Sequence, residues 1–263
     1  MLFSTSTYLE RKICSVVRIS KGILTLIILF SVVCSSSYAQ WQLDAETGFV
    51  LSGYNDVRIP NETGTKISLS RELKTDPELF IRGRLTYSIG EKHTIAILVA
   101  PLRLHAKGKV DRIVKFEKEE FPANIQLKST YRFDSYRLTY RYDFYNTGEV
   151  QAGLGMTFKI RDASISLEGG NKKAEKKNTG FVPLINFKVQ WMFSEQLSLL
   201  LDGDALAAPQ GRAEDVFLGL LFWPGKNVGL KLGYRVLEGG VDVDEVYNFT
   251  LVNYIVAGGI LTF

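Results

Sequence analysis

Two histidines, a few spaced carboxylates and one lysine cluster are the residues of this chain that could do chemistry. His93 and His105 are the only histidines. His105 could serve as a general base if a serine or acidic groups stood beside it. Asp202-Gly203-Asp204 and the run Glu238, Asp242, Asp244, Glu245 could supply the carboxylates. No local motif such as Asn-x-Ser-x-His accompanies them. No catalytic set is therefore assigned, and His105, Asp202 and Asp204 are the candidates a cleft would have to bring together. The plainer reading makes His105 a rim residue in a polar network. Asp242-x-Asp244-Glu245 looks like part of a calcium run but lacks the spacing of an EF-hand loop, so no metal is expected. Gly169-Gly170 and Gly239-Gly240 read as turn chemistry, because neither opens a helix that could cradle a phosphate. No cofactor is expected.

The first 39 residues read as a leader. Arg11, Lys12, Arg18 and Lys21 precede the uncharged run Ile23 to Cys34, and Ser37-Tyr38-Ala39 places small residues before a cut at Gln40. This is the layout of a secretory signal peptide. The apolar run is shorter than the roughly 20 residues of a membrane-spanning helix. Both cysteines, Cys14 and Cys34, fall in this leader, so the body 40–263 can form no disulfide and no thiolate metal site. The leader also carries most of the net charge of +4. The remaining body is close to neutral, which removes the electrostatic argument for nucleic acid.

The elements that must position the polar residues are strands. Between Arg132 and Phe144, Tyr136, Leu138, Tyr140, Tyr142 and Phe144 share one parity, and Ser135, Arg137, Thr139, Arg141 and Asp143 share the other. Successive side chains of a strand point to opposite faces, so one face is apolar and the other charged. The pattern recurs in ten segments: about 41–53, 78–89, 92–105, 131–145, 149–168, 180–193, 196–207, 213–223, 226–237 and 246–263. Segments 92–105 and 213–223 are apolar on both parities, so their facing is ambiguous. Short turns (Gly90-Glu91, Asn146-Thr147-Gly148, Ser194-Glu195, Pro224-Gly225) alternate with longer, charged links at about 54–77, 106–130, 169–179, 208–212 and 238–245.

An even strand count with short turns at one end and long links at the other matches a transmembrane β-barrel. The fold class expected is all-β: a single antiparallel up-and-down barrel of ten strands, with eight or twelve as alternatives. Closure is required, since an open edge in lipid leaves backbone groups unpaired. Trp41, Tyr87, Tyr145, Trp191, Phe193, Trp223 and Phe263 lie near strand ends, where an interfacial girdle would sit. Gly258-x-x-Leu261-x-Phe263 resembles the C-terminal assembly signal of bacterial outer-membrane barrels. Over 40–263 the chain resembles small outer-membrane β-barrel proteins of the OmpA, OmpW or ten-stranded omptin kind, without an active-site motif of any one family. The competing reading is a soluble sandwich or lipocalin-like barrel, whose apolar parity faces a core.

If the apolar parity faces lipid, the other parity fills the lumen. The residues so assigned are Asp44, Glu46, Arg82, Arg84, Arg103, Arg137, Arg141, Asp143, Lys159, Arg161, Lys188, Asp202, Asp204, Lys231 and Arg235. Opposite charges in a narrow interior should pair and plug it. The expected role is structural or binding. A narrow channel for small solutes, anionic ones among them, is the alternative, and a surface hydrolase using His105 is the third. The resemblance implies a monomer in a Gram-negative outer membrane, lipid and lipopolysaccharide as surroundings, and the barrel-assembly machinery as a partner during biogenesis. The basic run Lys172-Lys173-x-Glu175-Lys176-Lys177, read as a loop tip, could meet lipopolysaccharide phosphates. Nucleic acid is not expected as a partner.

Overall fold

The computed structural model describes residues 39–209 and 211–263. Apart from Ala39, the expected leader lies outside them. The described chain is strands and turns: β1 (Ala39–Arg58), β2 (Ile67–Ser68), β3 (Glu78–Ile89), β4 (His93–Ala100), β5 (Arg103–Lys109), β6 (Val114–Phe116), β7 (Glu119–Phe121), β8 (Gln126–Asn146), β9 (Val150–Gly169), β10 (Lys172–Met192), β11 (Leu197–Ala208), β12 (Gly211–Phe222), β13 (Val228–Val243) and β14 (Val246–Thr262). β4 and β5 act as one wall strand, interrupted at Pro101-Leu102, and both pair with β8. Proline has no N–H to give to the ladder, which accounts for the break. Ten wall strands result, each antiparallel to its neighbours in chain order. β14 closes the wall against β1, from Gln42↔Thr262 to Arg58↔Tyr247. The structure is thus a closed ten-stranded barrel, the fold class expected from the alternation.

Which face is which decides between a membrane barrel and a soluble one. The apolar parity is outside. Leu79 is 72% exposed, Leu232 63% and Met156 53%, and Ile97, Leu138, Ile185, Leu218 and Ile255 continue the band around the wall. On β9 the outward run from Ala152 to Ile160 is about nine residues, the length a tilted strand needs to cross a bilayer. A continuous apolar belt of this size has no cover but lipid. The barrel is therefore transmembrane. Trp41 and Tyr87 pack at 4.6 Å on the turn side of the belt, as do Trp191 and Phe193. Trp223 does not join this girdle. It turns inward, against the core and the turn-side cavity, because its position follows the inward parity of β12 past Leu221.

The strands run further than the alternation suggests. After a bulge between Ser52 and Tyr54, β1 continues to Arg58. β9 and β10 stay paired up to Gly169↔Lys172, and Gly170 takes a left-handed φ of 59° in the turn. The lysine run 172–177 is therefore strand, not loop, and the link 238–245 is mostly the end of β13. Above the belt the wall stands in water, so both of its faces can be polar, and a polar strand looks like a loop in sequence. The long connections that remain are 59–77 and 110–125.

Those two loops fold back into the mouth. Ile59, Ile67, Leu69 and Leu73 from the first, and Val110, Val114, Phe116 and Phe121 from the second, pack against Val57, Leu104, Leu127, Ile165 and Leu167 of the wall. Each fully buried side chain of this kind contributes about 1.5–3 kcal/mol of burial free energy. Arg112 ties the loops together, donating from Nη1 to Glu72 Oε1 at 2.6 Å, while the Ser68 N–H donates to Glu72 Oε2 at 2.8 Å. Burial pushes the Glu72 carboxyl up, but the Arg112 and Ser68 hydrogen bonds outweigh it and hold the group below its ordinary value.

Candidate functional site in the lumen

Inward positions stack in three layers along the barrel axis. On the turn side lies a cavity of about 550 Å3, lined among others by Gln42, Thr86, Thr94, Arg141, Lys188, Gln190 and Ser198. On the loop side lies the apolar plug. Between them the lumen is crossed by ion pairs.

The hub of the middle layer is Asp215 on β12. Its Oδ2 accepts from Arg137 at 2.5 Å and Arg82 at 3.1 Å, and its Oδ1 accepts from Arg235 at 2.7 Å. Glu46 on β1 takes Lys231 at 2.5 Å and Arg235 at 2.8 Å, with Arg82 at 3.3 Å. Asp204 stands opposite Asp215 in the β11–β12 register. The two carboxylates tolerate each other because Arg137 bonds both. Asp204 also accepts from Thr157 at 2.6 Å and Asn186 at 2.9 Å. Arg84–Asp202, Lys231–Asp44 and Arg141–Asp143 complete the set at 2.6, 2.6 and 2.7 Å. Each pair joins different strands or neighbouring inward positions, so the network cross-links the wall through its interior.

One aromatic ring packs within this charge. Phe217 lies under Lys231 and Arg235, at 4.6 and 5.2 Å from the ring centre. It fits because Gly219 and Gly233 leave the space: a Cβ there would come within 2.4 and 2.7 Å of the ring.

Fourteen of the fifteen assigned lumen residues face inward, and the exception is Arg103. It stands on the outer wall of β5, paired in bidentate fashion with Asp134 of β8. The reason is that the segment is apolar on both parities: the even positions from Thr94 through Ala106 face inside with no shift across Pro101-Leu102, which leaves Arg103 outside. Asp215 was missed for the related reason that 213–223 is apolar on both parities. A charged residue in register with Asp204 was the signal available. Asp134, also unassigned, holds Arg103 with Arg132 close by at 4.0 Å.

The catalytic candidates are not brought together. Asp202 and Asp204 are buried in the lumen. His105 is on the exposed outer wall, its Nδ1 2.7 Å from Glu78 Oε1. His93 pairs with the Tyr140 hydroxyl at 2.9 Å near the turns. Asp242 accepts from Asn61 at 2.6 Å and Glu245 pairs with Lys176 at 3.3 Å. Among the described residues no group of three metal-ligating side chains gathers. Gly258 and Leu261 lie in the closing strand, Gly258 in register with Glu46 and Leu261 facing outward; Phe263 follows the end of β14.

The lumen has a charge surplus. Asp44, Glu46, Asp143, Asp202, Asp204 and Asp215 are outnumbered by Arg82, Arg84, Arg137, Arg141, Lys159, Arg161, Lys188, Lys231 and Arg235. Among the described residues, Lys159, Arg161 and Lys188 have no carboxylate within ion-pair distance. Lys188 looks into the turn-side cavity. Lys159 and Arg161 lie on the other side of the ion-pair layer.

No protein-family model matches the chain, and no curated protein matches it by sequence. Solved structures do match. The outer membrane protease OmpT of Escherichia coli is 12% identical, with 85% of this chain and 97% of that one covered and a TM-score of 0.55. Ail, the attachment invasion locus protein of Yersinia pestis, solved with the heparin analogue sucrose octasulfate, is 12% identical over 85% of this chain and 99% of its own, with a TM-score of 0.39. Neisserial surface protein A is 17% identical over 86% and 97%, with a TM-score of 0.32. The likeness to OmpT is one of fold. Together with the apolar belt it defines the class: a small β-barrel of the outer-membrane type.

Proposed function

We propose that this protein is a non-conducting outer-membrane barrel with a structural or binding role. The observation that carries the reading is the double seal of the lumen, an ion-pair layer centred on Asp215 and an apolar plug formed by 59–77 and 110–125. Ions entering the turn-side cavity meet bonded charges, and beyond those they meet buried hydrocarbon. A narrow channel would require both seals to open. The hydrolase named for OmpT belongs to that protein; here His105 meets Glu78, with Asp202 and Asp204 shut inside the wall. Outward lysines above the belt, such as Lys128, suit a surface facing lipopolysaccharide phosphates. Lys173 is already paired with Glu168 at 2.5 Å and Lys177 with Glu175 at 3.3 Å, which lessens the pull of the 172–177 run.

Planar-bilayer recording with the purified, folded protein tests the proposal. The expected trace is free of channel events. Discrete, reproducible openings in the wild-type protein would overturn it.

A further inference from the structure

We propose that a chamber at the loop-side edge of the lipid belt binds an oxyanion group, a carboxylate or a phosphate, through Lys159 and Arg161. This goes beyond the plugged-barrel reading and does not depend on it. Lys159 is only 3% exposed, yet its Nζ has no counter-charge among the described residues and rests 4.7 Å from the Phe133 ring centre. A buried ammonium without a counter-charge is costly. Arg161, the next inward residue on β9, gives Nη2 to Asn178 and leaves its buried Nε without a partner. Both cations line a cavity of about 60 Å3, together with Tyr131, Phe133, Asn248 and Thr250. Such a space holds a few waters or one small anionic group, and is too small for a sugar. The nearby lumen acids are engaged: Asp204 and Asp215 by Arg137, and Asp215 also by Arg82 and Arg235. The one acid lining the chamber, Glu238, is held by Arg212 at 2.7 Å and by the Tyr54 hydroxyl. Two cations, one a planar guanidinium fork, therefore meet no available anion.

The wall supplies an entrance. β10 pairs with β11 only over Ile185 to Met192, and β11 and β12 close at Ala208↔Gly211. β9 and β10 run on together to Gly169↔Lys172. Above the β11–β12 hairpin the β10 edge is thus left without β11, at the height of Arg161, whose partner on β10 is Gly180. A Cβ at Gly180 would lie 3.2 Å from the Arg161 Nη2, so glycine leaves the guanidinium its room there. Lys176 spans the top, 3.3 Å from Glu245 and 3.5 Å from Glu117. Outward residues change from Ile160 to Asp162 at this height, where hydrocarbon gives way to headgroups. The oxyanion can therefore arrive on a lipid headgroup or from solution.

The test uses the purified protein in detergent, its folded state checked by gel mobility. Inorganic phosphate and acetate form one arm, phosphatidic acid in mixed micelles the other, with binding read by calorimetry and native mass spectrometry. Saturable binding is expected in at least one arm, weakened about tenfold or more in Lys159→Met and in Arg161→Gln, as loss of a charge-assisted hydrogen bond implies. Lys188→Met should bind as the wild type does. Binding of phosphate or acetate without phosphatidic acid identifies a soluble ligand; the reverse identifies a headgroup. No saturable binding in either arm overturns the site. So does equal binding by Lys159→Met and Arg161→Gln, or an equal loss in Lys188→Met.

Discussion

The two ends of the barrel interior are filled by different chemistry, although the same ten strands enclose both. On the turn side the inward residues are mostly polar, the turns are tight, and a cavity of about 550 Å3 stays open. On the loop side the inward residues become apolar, and 59–77 and 110–125 bring hydrocarbon of their own to cover them. Between the two, ion pairs bridge strands across the lumen. A buried ion pair gains little over a hydrophobic substitute but costs much to break. A hydrophobic plug behaves in the opposite way, losing stability in proportion to the atoms removed. The ion-pair layer should therefore fail abruptly and the plug gradually.

The largest effect expected is at the hub. Asp215→Ala removes the shared partner of Arg82, Arg137 and Arg235, and should destabilise the barrel by about 3–5 kcal/mol, the cost of stranding buried charge. Urea unfolding in lipid vesicles, followed by tryptophan fluorescence, measures this. A loss under about 1 kcal/mol, a surface-pair value, would remove the distinction between the layers. Next is the plug. Leu73→Ala should cost about 2–4 kcal/mol in the same assay, within the range for buried leucines, and leave the bilayer silent because the ion-pair layer still closes the lumen. Channel events in this variant would mean that the plug alone seals the barrel.

His105→Ala removes one exposed polar contact with Glu78 on the outer wall and should change stability by less than about 1 kcal/mol. Equal hydrolysis of peptide and lipid-ester probes, before and after the change, is the accompanying expectation. The smallest effect is in the loops. The Glu72 carboxyl is held below its ordinary value, so its contribution is full above the unfolded value near 4.5 and fades as pH falls through the folded one. Limited proteolysis at 59–77 should therefore speed up as pH drops below about 4.5, and Glu72→Gln should abolish that dependence while the wall stays intact.

Legibility in the sequence followed the regularity of the strands. Where one parity was apolar and the other charged, as in Arg137 and Arg141 against Leu138 and Tyr140, facing could be read directly. It failed where both parities were apolar. In 92–105 apolar residues on both parities let Arg103 read as inward, whereas it faces out. In 213–223 the run of aliphatics hid Asp215, the residue on which the network turns. The lysine run 172–177 reads as a loop for a different reason: above the lipid, a hydrogen-bonded hairpin needs no apolar face, so its composition is that of a loop.

The sequence by itself determined a set of strands with one apolar and one charged parity, because period-two alternation is a property of the extended backbone; that the apolar parity faces lipid was decided by the closed barrel and its exposed belt. It also set most of the charges that share the interior, but neither the outward facing of Arg103 nor the inward place of Asp215. Only the tertiary structure decided which charge meets which, that loops 59–77 and 110–125 fold inward, and that Lys159 and Arg161 are left without a counter-charge. Those facts depend on strand register and on contacts between residues far apart in the chain, such as Arg235 with Glu46, 189 positions apart. Alternation along one strand carries no information about its neighbour across the lumen.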